Sequence, residues 1–239
     1  MKRFVQLFKN PVARRRLLYK GLLIMALLVT DAFHAGLTGA KSNIPRDTPV
    51  ISAESPIFEE AYSFTKAQER GYVNHPDDNG GATNHGISQK AYPHLNIKGL
   101  SAEKAKNLYK RDYWDKIRGD VLPTDLSKAI FDTAVNAGVG TASKHLQLEI
   151  GAKADGVIGP RTLKKLRQYL ESNSSYDLTM SLLDKREWYY RRLAKNNPNQ
   201  QKFLGNWLNR TSELRKLIQA DQYRKTQEVM NEIGRRALQ

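Results

Sequence analysis

The positions Leu126, Ala129, Ile130, Thr133, Ala134 and Ala137 recur at the i, i+3, i+4, i+7 spacing of a helix that turns one face to a core. Gly138 stops that run. Further helices are predicted over 101–117, 141–150, 160–171, 177–195 and 200–235, with Gly159-Pro160 and Pro198 marking boundaries. Upstream, Ser55 as N-cap, Pro56 at the first helical position and Glu59 and Glu60 in the first turn predict another helix, running to about Arg70 and ended by Gly71. From Tyr72 to Ser88 the chain is rich in Gly, Asn, Asp and Pro, which rules out a long helix and predicts a loop with a short hairpin. The fold class that follows is mainly α, with a short β/loop segment around residues 72–88.

The first forty residues follow another pattern. Lys2, Arg3, Lys9, Arg14, Arg15, Arg16 and Lys20 precede the apolar run from Gly21 to Thr30, and the first acid is Asp31. Cations followed by a short apolar run resemble the n-region and h-region of an export signal. A comfortable transmembrane helix needs about 20 apolar residues, and this run is shorter. Thr38-Gly39-Ala40 offers the small residues of a signal-peptidase site. Residues 1–40 are therefore expected to be a signal peptide or a weak signal-anchor. The positive-inside rule leaves their start in the cytoplasm and sends the rest across the cytoplasmic membrane, to the periplasm or cell wall. Residues 41–56, with Pro45, Pro49 and Pro56 and no apolar period, read as a linker.

Composition narrows the partners. The net charge is +15, which suits any polyanion: nucleic acid, an anionic membrane surface or an acidic wall. No groove-reading motif is present and part of the charge belongs to the export segment, so nucleic acid is not an expected partner. The chain has no cysteine, which excludes disulfides, thiolate zinc sites and cysteine nucleophiles. His75, His85 and His94 near Asp77 and Asp78 lack a helical H-x3-H spacing, so neither a metal nor another cofactor is expected.

The candidate chemistry centres on Glu69. In the last turn of the predicted helix, the negative end of the helix dipole disfavours an ionised carboxylate, the condition a glycosidase uses to donate a proton to the leaving oxygen. Asp78 follows nine residues later in N-H-P-D-D-N-G-G, and Thr83 five residues after that. A loop folding back over the helix end would set a second carboxylate and a hydroxyl across a cleft from Glu69, Asp78 activating water and Thr83 orienting it. Asp78 could equally be a turn former that caps its own loop, and Thr83 a buried hydroxyl or an N-cap. Tyr72, beside Glu69, is the aromatic best placed to stack on a sugar, and Asn136 on the strongest core helix is a candidate for lining the cleft.

Residues 69–88, ERGYVNHPDDNGGATNHGIS, resemble the E-G-G-Y-V-N-D-P-x-D-x-G-G-A-T-N-x-G-I signature of glycoside hydrolase family 108, the phage and bacterial N-acetylmuramidases. The resemblance extends to Phe131-Asp132-Thr133-Ala134-Val135-Asn136-Ala137-Gly138, to Leu146-Gln147 and to Phe203-Leu204-Gly205-Asn206-Trp207-Leu208-Asn209-Arg210. Asp155-Gly156-Val157-Ile158-Gly159-Pro160-Arg161-Thr162 resembles the D-G-x-I-G-P-x-T turn of the peptidoglycan-binding helical region that accompanies this family, a turn read as structural. Arg70 and His75 stand where the family usually has glycine and often has aspartate.

The resemblance implies a lysozyme-like fold, cleavage between N-acetylmuramic acid and N-acetylglucosamine in peptidoglycan glycan strands, and Glu69 as the essential glutamate. It divides the chain into a muramidase catalytic region at 57–140, a peptidoglycan-binding-like helical region at 141–213 and a basic helical tail at 214–239. Asn84, within the matched G-G-A-T-N-x-G-I run, completes the substrate-binding candidates with Tyr72 and Asn136. Two rival readings share these residues: a lytic transglycosylase, and a non-catalytic wall-binding or secretion-scaffold protein.

Overall fold

The computed structural model describes residues 55–69 and 82–237. The expected export segment, all but the end of the linker, and Arg70, Tyr72, His75, Asp77 and Asp78 lie outside these described residues. Among the described residues no helix is long and apolar enough to cross a membrane.

The first helix, α1 (Pro56–Gln68), starts at Ser55 with Pro56 at its first position, although the Ser55 hydroxyl makes no capping bond. It buries Phe58, Ala61, Tyr62 and Thr65, a stripe at the i, i+3, i+4, i+7 spacing. It stops short of the expected end at Arg70. Glu69 is its C-cap, with extended backbone (φ −91°, ψ 135°) and its N–H bonded to Lys66 O at 3.1 Å. The glutamate therefore projects from the end of the helix instead of lying along its last turn.

A two-stranded antiparallel hairpin follows, β1 (Thr83–Asn84) and β2 (Ile87–Ser88), in the register Thr83 to Ser88 and Asn84 to Ile87. Its turn residues His85 (φ 50°) and Gly86 (φ 75°) are both left-handed, as a two-residue turn matched to strand twist requires. The predicted helix over 101–117 is broken. α2 (Ala102–Tyr109), capped by the Ser101 hydroxyl, passes into a π-helical turn at Lys110–Trp114, where Asp115 N–H reaches Lys110 O at 2.8 Å. That turn delivers Trp114 into the core, against Phe58 and Phe131 at ring separations of 5.4 and 5.6 Å.

α3 (Thr124–Ala137) is the helix the apolar pattern marks most clearly, yet burial goes beyond the patterned face: Asp125, Ser127, Lys128 and Asp132 are buried as well. The cause is that α1, α4 (Val139–Glu149) and α6 (Ser175–Asn196) all pack around it. α5 (Pro160–Leu170) lies between α4 and α6 in the chain, and a 3-10 turn (Pro198–Phe203) leads into α7 (Leu204–Ala237). One apolar cluster runs from Phe58 and Trp114 through Leu146 and Ile158 to Leu178 and Leu182. A smaller one joins Ala129 to Leu183, Leu214 and Ile218, seating the first half of α7.

The D-G-x-I-G-P-x-T turn is knitted together by Gln147, which is fully buried on α4. The two hydrogens of its amide nitrogen are shared among Asp155 Oδ1, Val157 O and Thr162 Oγ1 at 2.7–3.1 Å, and its oxygen accepts from Gly156 N–H at 2.8 Å. One side chain thereby satisfies a whole turn, which explains why Leu146-Gln147 accompanies the motif.

Candidate active site

Glu69 lies against the hairpin turn. A Cβ on Gly86 would fall 2.7 Å from Glu69 Oε2 and 2.3 Å from the Tyr109 hydroxyl, so only glycine lets turn and carboxylate meet. Tyr109, from the end of α2, donates its hydroxyl to His85 O at 3.1 Å. Burial first, and the Glu69 carboxylate second, push the Tyr109 hydroxyl far above its ordinary range, so it stays a neutral donor.

The other Glu69 oxygen faces a cation. Arg210 Nη1 donates to Glu69 Oε1 at 3.0 Å. The rest of that guanidinium is held by Asp132, with Nη2 to Oδ1 at 2.7 Å and Nε at 3.1–3.2 Å from both oxygens. Asp132 also accepts from Arg186 Nη1 at 2.7 Å and from the Thr65 hydroxyl at 3.1 Å. Burial would raise the Asp132 acid, but Arg186 and Arg210 outweigh it and hold the carboxyl below its usual range. Arg210 is correspondingly raised: burial opposes its charge, and Asp132 and Glu69 more than compensate. One buried carboxylate thus ties α1, α3, α6 and α7 together and aims Arg210 at Glu69.

Beyond this cluster an aromatic column continues. Asn136, one helical turn after Asp132, accepts a hydrogen bond from the Tyr190 hydroxyl. The Tyr190 ring stacks on Trp207 at 4.9 Å and 22°, and Phe203 stands 5.9 Å from Trp207.

Residues 62–138 match the glycosyl hydrolase 108 family, and residues 141–212 match a family described as a predicted peptidoglycan domain. No curated protein matches the chain. The solved structure of Brucella abortus SagA is 33% identical, covers 68% of this chain and 94% of its own, and superposes with a TM-score of 0.59. The chain belongs to the glycosyl hydrolase 108 family. It is a glycoside hydrolase, and the two matched segments together make it a peptidoglycan hydrolase.

Within this glycosyl hydrolase 108 chain the two segments do not act apart: Glu69 precedes the first helix–hairpin junction, and Arg210, which touches it, comes from the peptidoglycan-domain segment. The structure brings Glu69 to the hairpin that carries Thr83 and Asn84. Thr83 is half-buried on β1. Asn84 is buried, and its amide nitrogen donates to Ile97 O at 3.1 Å and Leu100 O at 3.4 Å, tying the hairpin to the following loop. Asn136 meets Tyr190 and stands on the Asp132 side of the cluster. Asp78 and Tyr72 lie outside the described residues, as does Arg70, the cation the sequence sets next to Glu69. Among the described residues the cation on Glu69 is Arg210. Sequence reasoning missed Arg210, Asp132, Arg186, Tyr109 and Gly86 as site residues, although Asp132, Arg210 and Gly86 stand inside the matched motif runs.

Proposed function

We propose that the protein is an N-acetylmuramidase that hydrolyses the β-1,4 bond between N-acetylmuramic acid and N-acetylglucosamine, on a lysozyme-like fold, with Glu69 as general acid. The observation that carries this reading is the placement of Glu69, which leaves the end of α1 in extended backbone with Oε2 at the Gly86 turn, where the hydrolase and peptidoglycan segments meet. In the reaction Glu69 gives its proton to the glycosidic oxygen, the C–O bond breaks, and water adds to the sugar carbon. Asp78 is assigned to activate that water and Thr83 to orient it. Tyr72 and Asn136 are assigned to the substrate side, with Asn84 shaping the hairpin beneath. Residues 1–40 are assigned to carry the enzyme across the cytoplasmic membrane, as a cleaved signal or a retained weak anchor.

The test is Glu69→Gln on purified peptidoglycan. Clearing should fall by about 10²–10⁴-fold, the worth of a general acid, with wall binding and fold intact. Retained turnover rejects the assignment. The product mass decides the reaction: added water for hydrolysis, an anhydro sugar for a lytic transglycosylase. Asp78→Asn should cost a comparable factor if Asp78 is the base, and much less if it only shapes its loop. Fractionation of the cell tests the export assignment.

A further inference from the structure

We propose that Trp207 and Phe203 form a glycan-binding platform continuous with the reactive centre, so that the peptidoglycan-domain segment supplies a substrate subsite of the catalytic cleft. This deepens the muramidase reading and rests on it.

The platform starts from Arg210. Trp207 precedes it by three residues on α7, which puts both on one helix face about 4.5 Å apart along the axis. Phe203 lies four residues further on at the mouth of the helix, 41% exposed although large and apolar. Exposure alone is ordinary for an apolar side chain, but here two aromatic rings stand side by side next to the Glu69–Arg210 pair, and the C–H faces of a pyranose ring are the flat apolar surface that aromatic rings cover.

The rings are also held in place. Tyr190 is 1% exposed, so it cannot itself meet substrate; it backs Trp207 by stacking and is locked through its hydroxyl to Asn136. A ring fixed before binding loses little entropy when a sugar settles on it. Lys202 stretches over the Phe203 ring, its ammonium 5.1 Å from the centroid, and as an exposed lysine it is the group a sugar displaces. The occupant is the strand that Glu69 cuts, because Trp207 stands one helical turn from the Arg210 that holds Glu69, and Phe203 lies against Trp207 on the far side.

The experiment titrates peptide-free glycan strands, prepared from peptidoglycan, into the full chain carrying Glu69→Gln and Trp188→Phe, reading tryptophan fluorescence. Trp188 is 58% exposed and would report contacts elsewhere, while Trp114 is fully buried. A saturable signal is expected that disappears on adding Trp207→Phe. Adding Phe203→Ala should raise the Kd roughly threefold to tenfold, the worth of one aromatic contact. An absent signal, a signal that survives Trp207→Phe, or a Kd unmoved by Phe203→Ala overturns the platform. Shortening of the strands during the titration, seen by mass, instead rejects Glu69 as the acid.

Discussion

Arg210 and Glu69, 141 positions apart in sequence, meet at 3.0 Å. The contact fixes one carboxylate oxygen and leaves the other at the hairpin turn, so the same residue that joins the two family segments also sets the orientation of the proposed acid. Because Arg210 is 8% exposed and shares its charge between Glu69 and Asp132, it belongs to a buried ion cluster in which every member depends on the others.

Arg210→Met tests that dependence. Removing one partner of a buried ion cluster costs ~3–5 kcal/mol, because the remaining charges lose their compensation. Activity should fall further, by up to about a hundredfold, the scale of a misplaced catalytic group. Arg210→Lys keeps the charge without the fork and should fall between the two. Urea unfolding and initial rates on peptidoglycan report both quantities, and an unchanged unfolding midpoint in Arg210→Met would show that the cluster contributes nothing.

Asp132 makes a pH prediction of definite sign. Its folded acid is held below the usual range by Arg186 and Arg210 against the cost of burial. A depressed acid contributes stability in full above its unfolded value of about 3.9, and that contribution fades as pH falls towards the folded value. At pH 7 Asp132→Asn should therefore be less stable than the parent by several kcal/mol, with Arg186 losing its carboxylate and Arg210 keeping only Glu69. Below about pH 4 the gap should narrow. Melting curves of both proteins across pH 7 to 2.5 decide the matter; a gap that stays constant through the acid range contradicts the assignment.

The elements were legible in the sequence where burial and period agree. The α3 stripe, the Pro56 start and the helices after Gly159-Pro160 and Pro198 follow from local rules that act on a few neighbouring residues. Asp132, Arg186 and Arg210 were not legible, because a charged residue on an amphipathic helix ordinarily faces water. They are buried here since α3 is surrounded by other helices, a property of the assembled bundle. The end of α1 also departs from expectation: Glu69 turns out of the helix into extended backbone, so its surroundings come from Arg210 and Gly86 together with the helix end.

Gly86→Ala separates catalysis from stability at the turn. Left-handed backbone at φ 75° costs an alanine about 1 kcal/mol, and the new methyl would also press on the Tyr109 hydroxyl and Glu69 Oε2. With Glu69 as the acid, the loss of rate should exceed what the loss of stability accounts for. Adding Tyr109→Phe removes the 2.3 Å contact but not the 2.7 Å contact with Glu69. The double variant should regain some stability and none of the rate; recovery of rate would mean that the methyl never reached Glu69.

His145 supplies the last prediction, in the pH window just above that of Asp132. Burial, then Lys185 and Arg186, lower its pKa to about 4, so the imidazole is neutral at pH 7. Its Nδ1 is buried without a hydrogen-bond partner, and its ring meets the edge of Tyr189 at 5.4 Å. The unfolded chain takes up a proton at this histidine near pH 6.5 that the native state refuses until about 4, so stability drains away as pH falls through that window. Replacing it with leucine, His145→Leu, removes this term: melting temperature plotted against pH should be flatter than in the parent between 6.5 and 4. Parallel curves would mean that His145 titrates alike in both states. The native refusal has a structural cause, since a proton here would add a third cation beside Lys185 and Arg186, and Arg186 is already fully buried with Nε and Nη2 unpaired.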